Sequence, residues 1–77
     1  MLDKKYCRLR HEETKAEVQL TEDFMYGEHI IRHFYATDES GLFHEINRQP
    51  CKYEPSFDGL WKDTINAYKF KGWEVLS

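Results

Sequence analysis

The sequence predicts an α+β domain: an antiparallel sheet of four to five strands, made of two hairpins and a short C-terminal strand, with one helix packed on one face. Three observations predict it. Residues 4–11 and 15–20 alternate between apolar and polar positions, the period of a half-buried strand. Residues 28–46 hold two β-branched and aromatic runs around a compact polar link ending in Gly41, the pattern of a second hairpin. Residues 56–71 carry Phe57, Leu60, Trp61, Thr64, Ile65 and Tyr68 on one helical stripe, with Asp58, Lys62, Asp63, Asn66 and Lys69 opposite.

In the first hairpin Lys5, Cys7, Leu9 and His11 point one way and Lys4, Tyr6, Arg8 and Arg10 the other. Pairing Leu9 with Ala16 and Cys7 with Val18 makes one buried face. It also sets Arg8 opposite Glu17 on the wet face, a favourable cross-strand pair. Glu12-Glu13 is not strong turn chemistry, so it fixes this register weakly. Residues 21–27 read either as a helical turn begun by Thr21-Glu22-Asp23 or as irregular connection, interrupted by Gly27 in both cases.

Residues 29–36 and 42–46 form the arms of the second hairpin. Because Ile30, Ile31, Phe34 and Tyr35 also fit a helical stripe, a helix over 21–36 is the competing reading. Residues 47–54 are a connector, with a short extended piece between Pro50 and Pro55. Pro55 discourages helix at Glu54, Ser56 is placed to cap the helix, Lys69 and Lys71 suit the negative end of its dipole, and Gly72 ends it. Residues 73–76 can only form a short last strand.

The ending from Tyr68 to Ser77, with its Gly72-Trp73-Glu74, resembles that of a group of small uncharacterised bacterial domains in which a helix closes with Gly-Trp-Glu and enters a terminal strand. The resemblance covers about ten residues of 77. It implies a few strands followed by a helix and a strand, and it implies no chemistry.

Seventy-seven residues make a single small domain over 1–77. A chain this short buries only about 60% of its unfolded surface, so its aromatic content of 16% matters to the core. A hydrophobic fraction of 40% beside 32% charge is that of a folded chain and not a disordered one. The net charge of −3 disfavours nucleic acid as a general partner. No apolar run approaches the roughly 20 residues of a membrane span. Residues 1–5 lack the apolar core of a secretory leader, and Cys7 and Cys51 form no CxxC pattern. Together these predict a cytoplasmic protein with reduced thiols.

Four constellations are candidates for function. His29 and His33 would be neighbours on a helix, but on a strand they share a face about 13 Å apart, beyond one metal ion. A small metal site is therefore a minor alternative to ordinary strand histidines, and no metal or cofactor is expected. Lys4, Tyr6, Arg8 and Arg10 set positive charge around a phenol on one strand face, which suits single-stranded nucleic acid; the plainer reading is a solvated face with Arg8 paired to Glu17. Eight acidic side chains lie between residues 11 and 39, among them Glu12, Glu13, Asp38 and Glu39, against Lys15 and Arg32. If they share a side they steer a basic partner, and otherwise they solubilise several turns. Finally, Phe34, Phe43 and Phe70 fall outside the helix stripe or face away from it, and an exposed aromatic patch marks a partner or dimer surface.

Catalysis has the thinnest support. The chain has no GxSxG, no phosphate-binding glycine loop and no HExxH, and adjacent His44 and Glu45 point to opposite faces of a strand. The expectation is a non-catalytic accessory or regulatory domain. It would bind a protein partner or itself through Phe34, Phe43, Phe70, Glu12, Glu13, Asp38 and Glu39, with single-stranded nucleic acid on Lys4, Tyr6, Arg8 and Arg10 as the alternative.

Overall fold

The structure is a computed structural model; it describes residues 4–37, 41–51 and 56–77. Strands β1 (Tyr6–His11), β2 (Glu17–Met25), β3 (Glu28–Ala36) and β4 (His44–Cys51) are followed by helix α1 (Phe57–Phe70) and strand β5 (Trp73–Val75). They form one five-stranded antiparallel sheet in the order β4-β3-β2-β1-β5, with α1 across one face. The first four strands are a meander. The helix then carries the chain from one sheet edge to the other and delivers β5 beside β1.

The turns explain where the sequence reading and the structure part. The β1–β2 pairing sets Leu9 opposite Val18 and Cys7 opposite Leu20, two residues away from the Leu9–Ala16 and Cys7–Val18 register. A two-residue turn at Glu12-Glu13 would need positive φ at both, which glutamate resists. The chain instead makes a four-residue loop in which Lys15 alone takes φ 63°. Imidazole Nδ1 of His11 closes it, accepting from the backbone N–H of Glu13 at 3.2 Å and of Thr14 at 3.4 Å. In this register Arg8 faces Gln19, and Glu17 faces Arg10.

Residues 21–27 are neither helix nor irregular connection. β2 continues to Met25 and turns at Tyr26 and Gly27 with φ 53° and 76°, the mirror-image two-residue turn that suits strand twist. This long hairpin also excludes the helix over 21–36. β4 begins at His44, not at residue 42, and extends through Cys51 into part of the expected connector. Pro50 is accommodated because β4 is an edge strand; residues 52–55 lie outside the described residues. Ser56 makes no side-chain cap bond, and its hydroxyl lies 3.7 Å from the Cys51 sulfur.

The core forms between sheet and helix. Leu9, Val18, Leu20 and Ile31 are fully buried and meet Cys7, Phe57 and Trp61, with Leu60, Ile65, Tyr68 and Trp73 around them. The helix stripe therefore faces inward as its spacing requires. Each buried aliphatic side chain contributes roughly 1.5–3 kcal/mol. At the helix end Gly72 has φ +99°, and a Cβ there would lie 3.2 Å from His11 Nε2. His11 thus closes a turn with one ring nitrogen and abuts the helix terminus with the other, while its ring meets Trp73 edge-on at 5.2 Å.

Candidate interaction face

With α1 on one side, the opposite side chains of the strands form an open face. Their register places them in rows across the sheet. Glu74, Arg10, Glu17 and Ala36 form one row, and Arg8, Gln19, Phe34 and Glu45 the next. Tyr6, Thr21, Arg32 and Arg48 form the third, followed by Asp23, Ile30 and Pro50. All four arginines of the chain lie on this face.

Carboxylates hold each of them. Glu17, only 5% exposed, takes Arg8 at 2.7 Å and Arg10 at 3.8 Å. Asp23 takes Lys4 at 3.6 Å and Arg32 at 3.2 Å. Glu45 takes Arg32 at 2.6 Å and Arg48 at 2.9 Å, and the Arg48 and Arg32 guanidinium groups pull its carboxyl down to about 2. The Arg32 guanidinium also sits 4.9 Å above the Phe34 ring, within cation–π range. Among the described residues Lys4 and the four arginines balance Glu17, Glu28, Asp23, Glu45 and Glu74, so these ten charges of the face sum to zero. Tyr6 stands out of this network, 48% exposed.

The candidate residues read from the sequence divide accordingly. Lys4, Tyr6, Arg8 and Arg10 share the open face as expected, and Phe34 joins them. Glu17 is buried between two arginines, so it is not the wet residue that the first register implied. Glu12 and Glu13 lie at one end of the sheet, where the Glu12 N–H donates to the Gly72 carbonyl at 3.2 Å. Phe70 is at the same end, 93% exposed on the helix. Phe43 precedes β4 there, half-buried. Lys15, Lys69 and Lys71 lie at the same end. Asp38 and Glu39 lie outside the described residues. Phe34 and Phe70 are on opposite sides of the molecule, so these two do not share one surface, whereas Glu12, Glu13, Phe43 and Phe70 lie at one end.

Sequence reasoning missed Arg32, Glu45 and Arg48 as members of this face. Alternation along β3 puts Arg32 in phase with Phe34, but only the strand order brings both beside Tyr6. It also missed a groove between α1 and β4, of about 340 Å³, lined by Asn47, Gln49, Leu60, Asp63, Ala67 and Lys71 over a floor of His33, Thr64 and Tyr68. His33 is 4% exposed. Its Nδ1 accepts from the Tyr68 hydroxyl at 2.8 Å and its Nε2–H donates to Gln49 Oε1. Burial lowers the His33 pKa and raises that of Tyr68, so both are neutral in this pair. The signal for His33 was its position in the apolar phase of β3, between Ile31 and Tyr35.

Among the described residues no group of three or more His, Cys, Asp or Glu side chains is placed to hold a metal, and His29 and His33 do share a strand face. Cys7 and Cys51 are free thiols. No helix among the described residues is long and apolar enough to cross a membrane. The chain matches no protein-family model, no curated protein and no solved structure.

Proposed function

We propose that this is a small non-catalytic accessory or regulatory domain that binds a protein partner, or a second copy of itself, through the open face of its sheet. One observation carries the reading: every arginine of the chain lies on the single sheet face that α1 leaves uncovered, interleaved with Tyr6 and Phe34. Arginine and tyrosine dominate the energetic centres of protein interfaces. Here the guanidinium groups are already oriented by Glu17, Asp23 and Glu45, which reduces the side-chain entropy lost on binding.

The same face is the natural seat of the alternative, single-stranded nucleic acid, with Tyr6 for stacking and Lys4, Arg8 and Arg10 for phosphates. Charge decides between them. A face whose cations are matched by its own carboxylates gains little from phosphate neutralisation, and the chain carries a net charge of −3.

Affinity capture from the native cell, with and without nuclease, tests this reading alongside sedimentation over a concentration series. A specific protein retained after nuclease, or concentration-dependent dimerisation, is the expected result. Capture that vanishes with nuclease, or a strict monomer retaining no more than a charge-matched control, overturns it.

A further inference from the structure

Strand β4 ends the sheet on one side, so among the described residues no other strand of that sheet pairs with one long side of its backbone. It is eight residues long, whereas β5 at the other edge has three. The groove runs beside β4 on its helix face. Asn47 and Gln49 point into it from the strand, since they pair with His33 and Ile31 of the core face. Asp63, Ala67 and Lys71 form the far wall, spaced by four residues each, so they stand in line along the helix.

We propose that this edge and groove receive an extended segment of a partner protein, which adds to the sheet as a sixth strand antiparallel to β4. Alternate side chains of such a strand project over the groove. The dimensions agree. Asp63 and Lys71 are eight helical residues apart, about 12 Å along the axis. Side chains four residues apart on a strand are separated by about 13 Å on one face. Charge then fixes the segment's sequence. β4 leaves the sheet at Cys51, opposite His29 at the start of β3, and α1 returns the chain to Trp73, opposite His11 at the end of β1. The helix therefore runs opposite to β4, and an antiparallel segment meets Asp63 before Lys71.

Its pattern is a basic residue, then two positions on a hydrogen-bond-accepting residue, then two further on an acidic one. The acceptor in the middle is required because Gln49 Oε1 is occupied by His33, while the backbone N–H of Arg48, which bonds Asn47 Oδ1 at 2.9 Å, exchanges that bond for a carbonyl of the segment. Gln49 is left to donate its amide N–H groups into the groove. Pro50, lacking an N–H, confines pairing to the part of β4 before it. This proposal concerns a surface separate from the open face and does not rest on that reading.

The test uses the whole chain and three acetylated, amidated nonapeptides: TVRTSTEVT, its charge-swapped form TVETSTRVT, and the neutral TVTTSTTVT. Backbone amide resonances are followed by NMR up to millimolar peptide. TVRTSTEVT should give saturable shifts and slowed amide exchange along His44–Gln49 and shifts at Asp63 and Lys71, with none on β5. The swapped and neutral peptides should each bind about twofold to fivefold more weakly, as expected of exposed charge pairs. In the double variant Asp63→Lys, Lys71→Asp, both exposed positions, the preference should reverse in favour of TVETSTRVT. No shift along β4, or a preference indifferent to the reversal, overturns the proposal. Tyr6→Ala should leave peptide binding unchanged, so a failure of the open-face reading is told apart from a failure here.

Discussion

His33 occupies a position that an aliphatic residue would fill more cheaply. It faces the helix between Ile31 and Tyr35, opposite Leu20, and its two ring nitrogens tie Tyr68 of α1 to Gln49 of β4. The Tyr68 bond, accepted at Nδ1, needs the neutral ring, whereas the Gln49 bond favours the protonated one, and burial outweighs it. Burial holds its pKa below the usual 6.5, so the unfolded chain takes up a proton before the folded one does. The stability that neutral His33 provides is thus complete above about pH 6.5 and is lost as pH falls through its lowered folded value. Urea melts between about pH 7 and 5 should show stability falling with pH, and His33→Gln should flatten that fall. An equal fall in the variant would assign the effect to other groups. At the same scale, Leu20→Ala should cost about 2–5 kcal/mol because Leu20 has no exposed surface. Phe70→Ala should change stability by no more than about 0.5 kcal/mol, since the ring is 93% exposed. Comparable losses at the two positions would contradict the assigned core.

Among the elements, the turns carry the testable detail. Gly27 adopts φ 76° in open space, so Gly27→Ala should cost about 1–2 kcal/mol through backbone strain alone. Gly72 adds a steric term at His11 to its own positive φ, so Gly72→Ala should cost more. Chemical denaturation of both variants checks the order. What the sequence disclosed at this scale follows the same physics. The helix stripe and the alternating strands were legible because one period dominates each. The β2–β3 hairpin was not, because Glu22 and Asp23 break the apolar alternation and Tyr26 is an unusual residue for a left-handed turn position. Their charges are held instead by contacts distant in sequence, Asp23 by Lys4 and Arg32, and Glu22 by the Lys5 backbone N–H at 2.8 Å. The β1–β2 register escaped for a related reason. It is set by a side chain, the imidazole of His11, and not by a turn dipeptide.

Across the whole molecule, one helix serves one side of a five-stranded sheet and leaves the other to arginine, tyrosine and matched carboxylates. Half of this face was readable from β1 alone, as Lys4, Tyr6, Arg8 and Arg10 alternate along it. Arg32, Glu45 and Arg48 could not be added without the strand order, and of the expected aromatic residues only Phe34 lies on this face. The central claim is that the open face is the contact surface. Its most direct measurement compares capture of the partner by the wild-type chain and by Tyr6→Ala/Arg48→Ala. That variant spares the core and leaves Glu45 paired with Arg32. A loss of about tenfold or more in recovered partner, at unchanged stability, is predicted. Equal recovery by a folded variant would contradict the account.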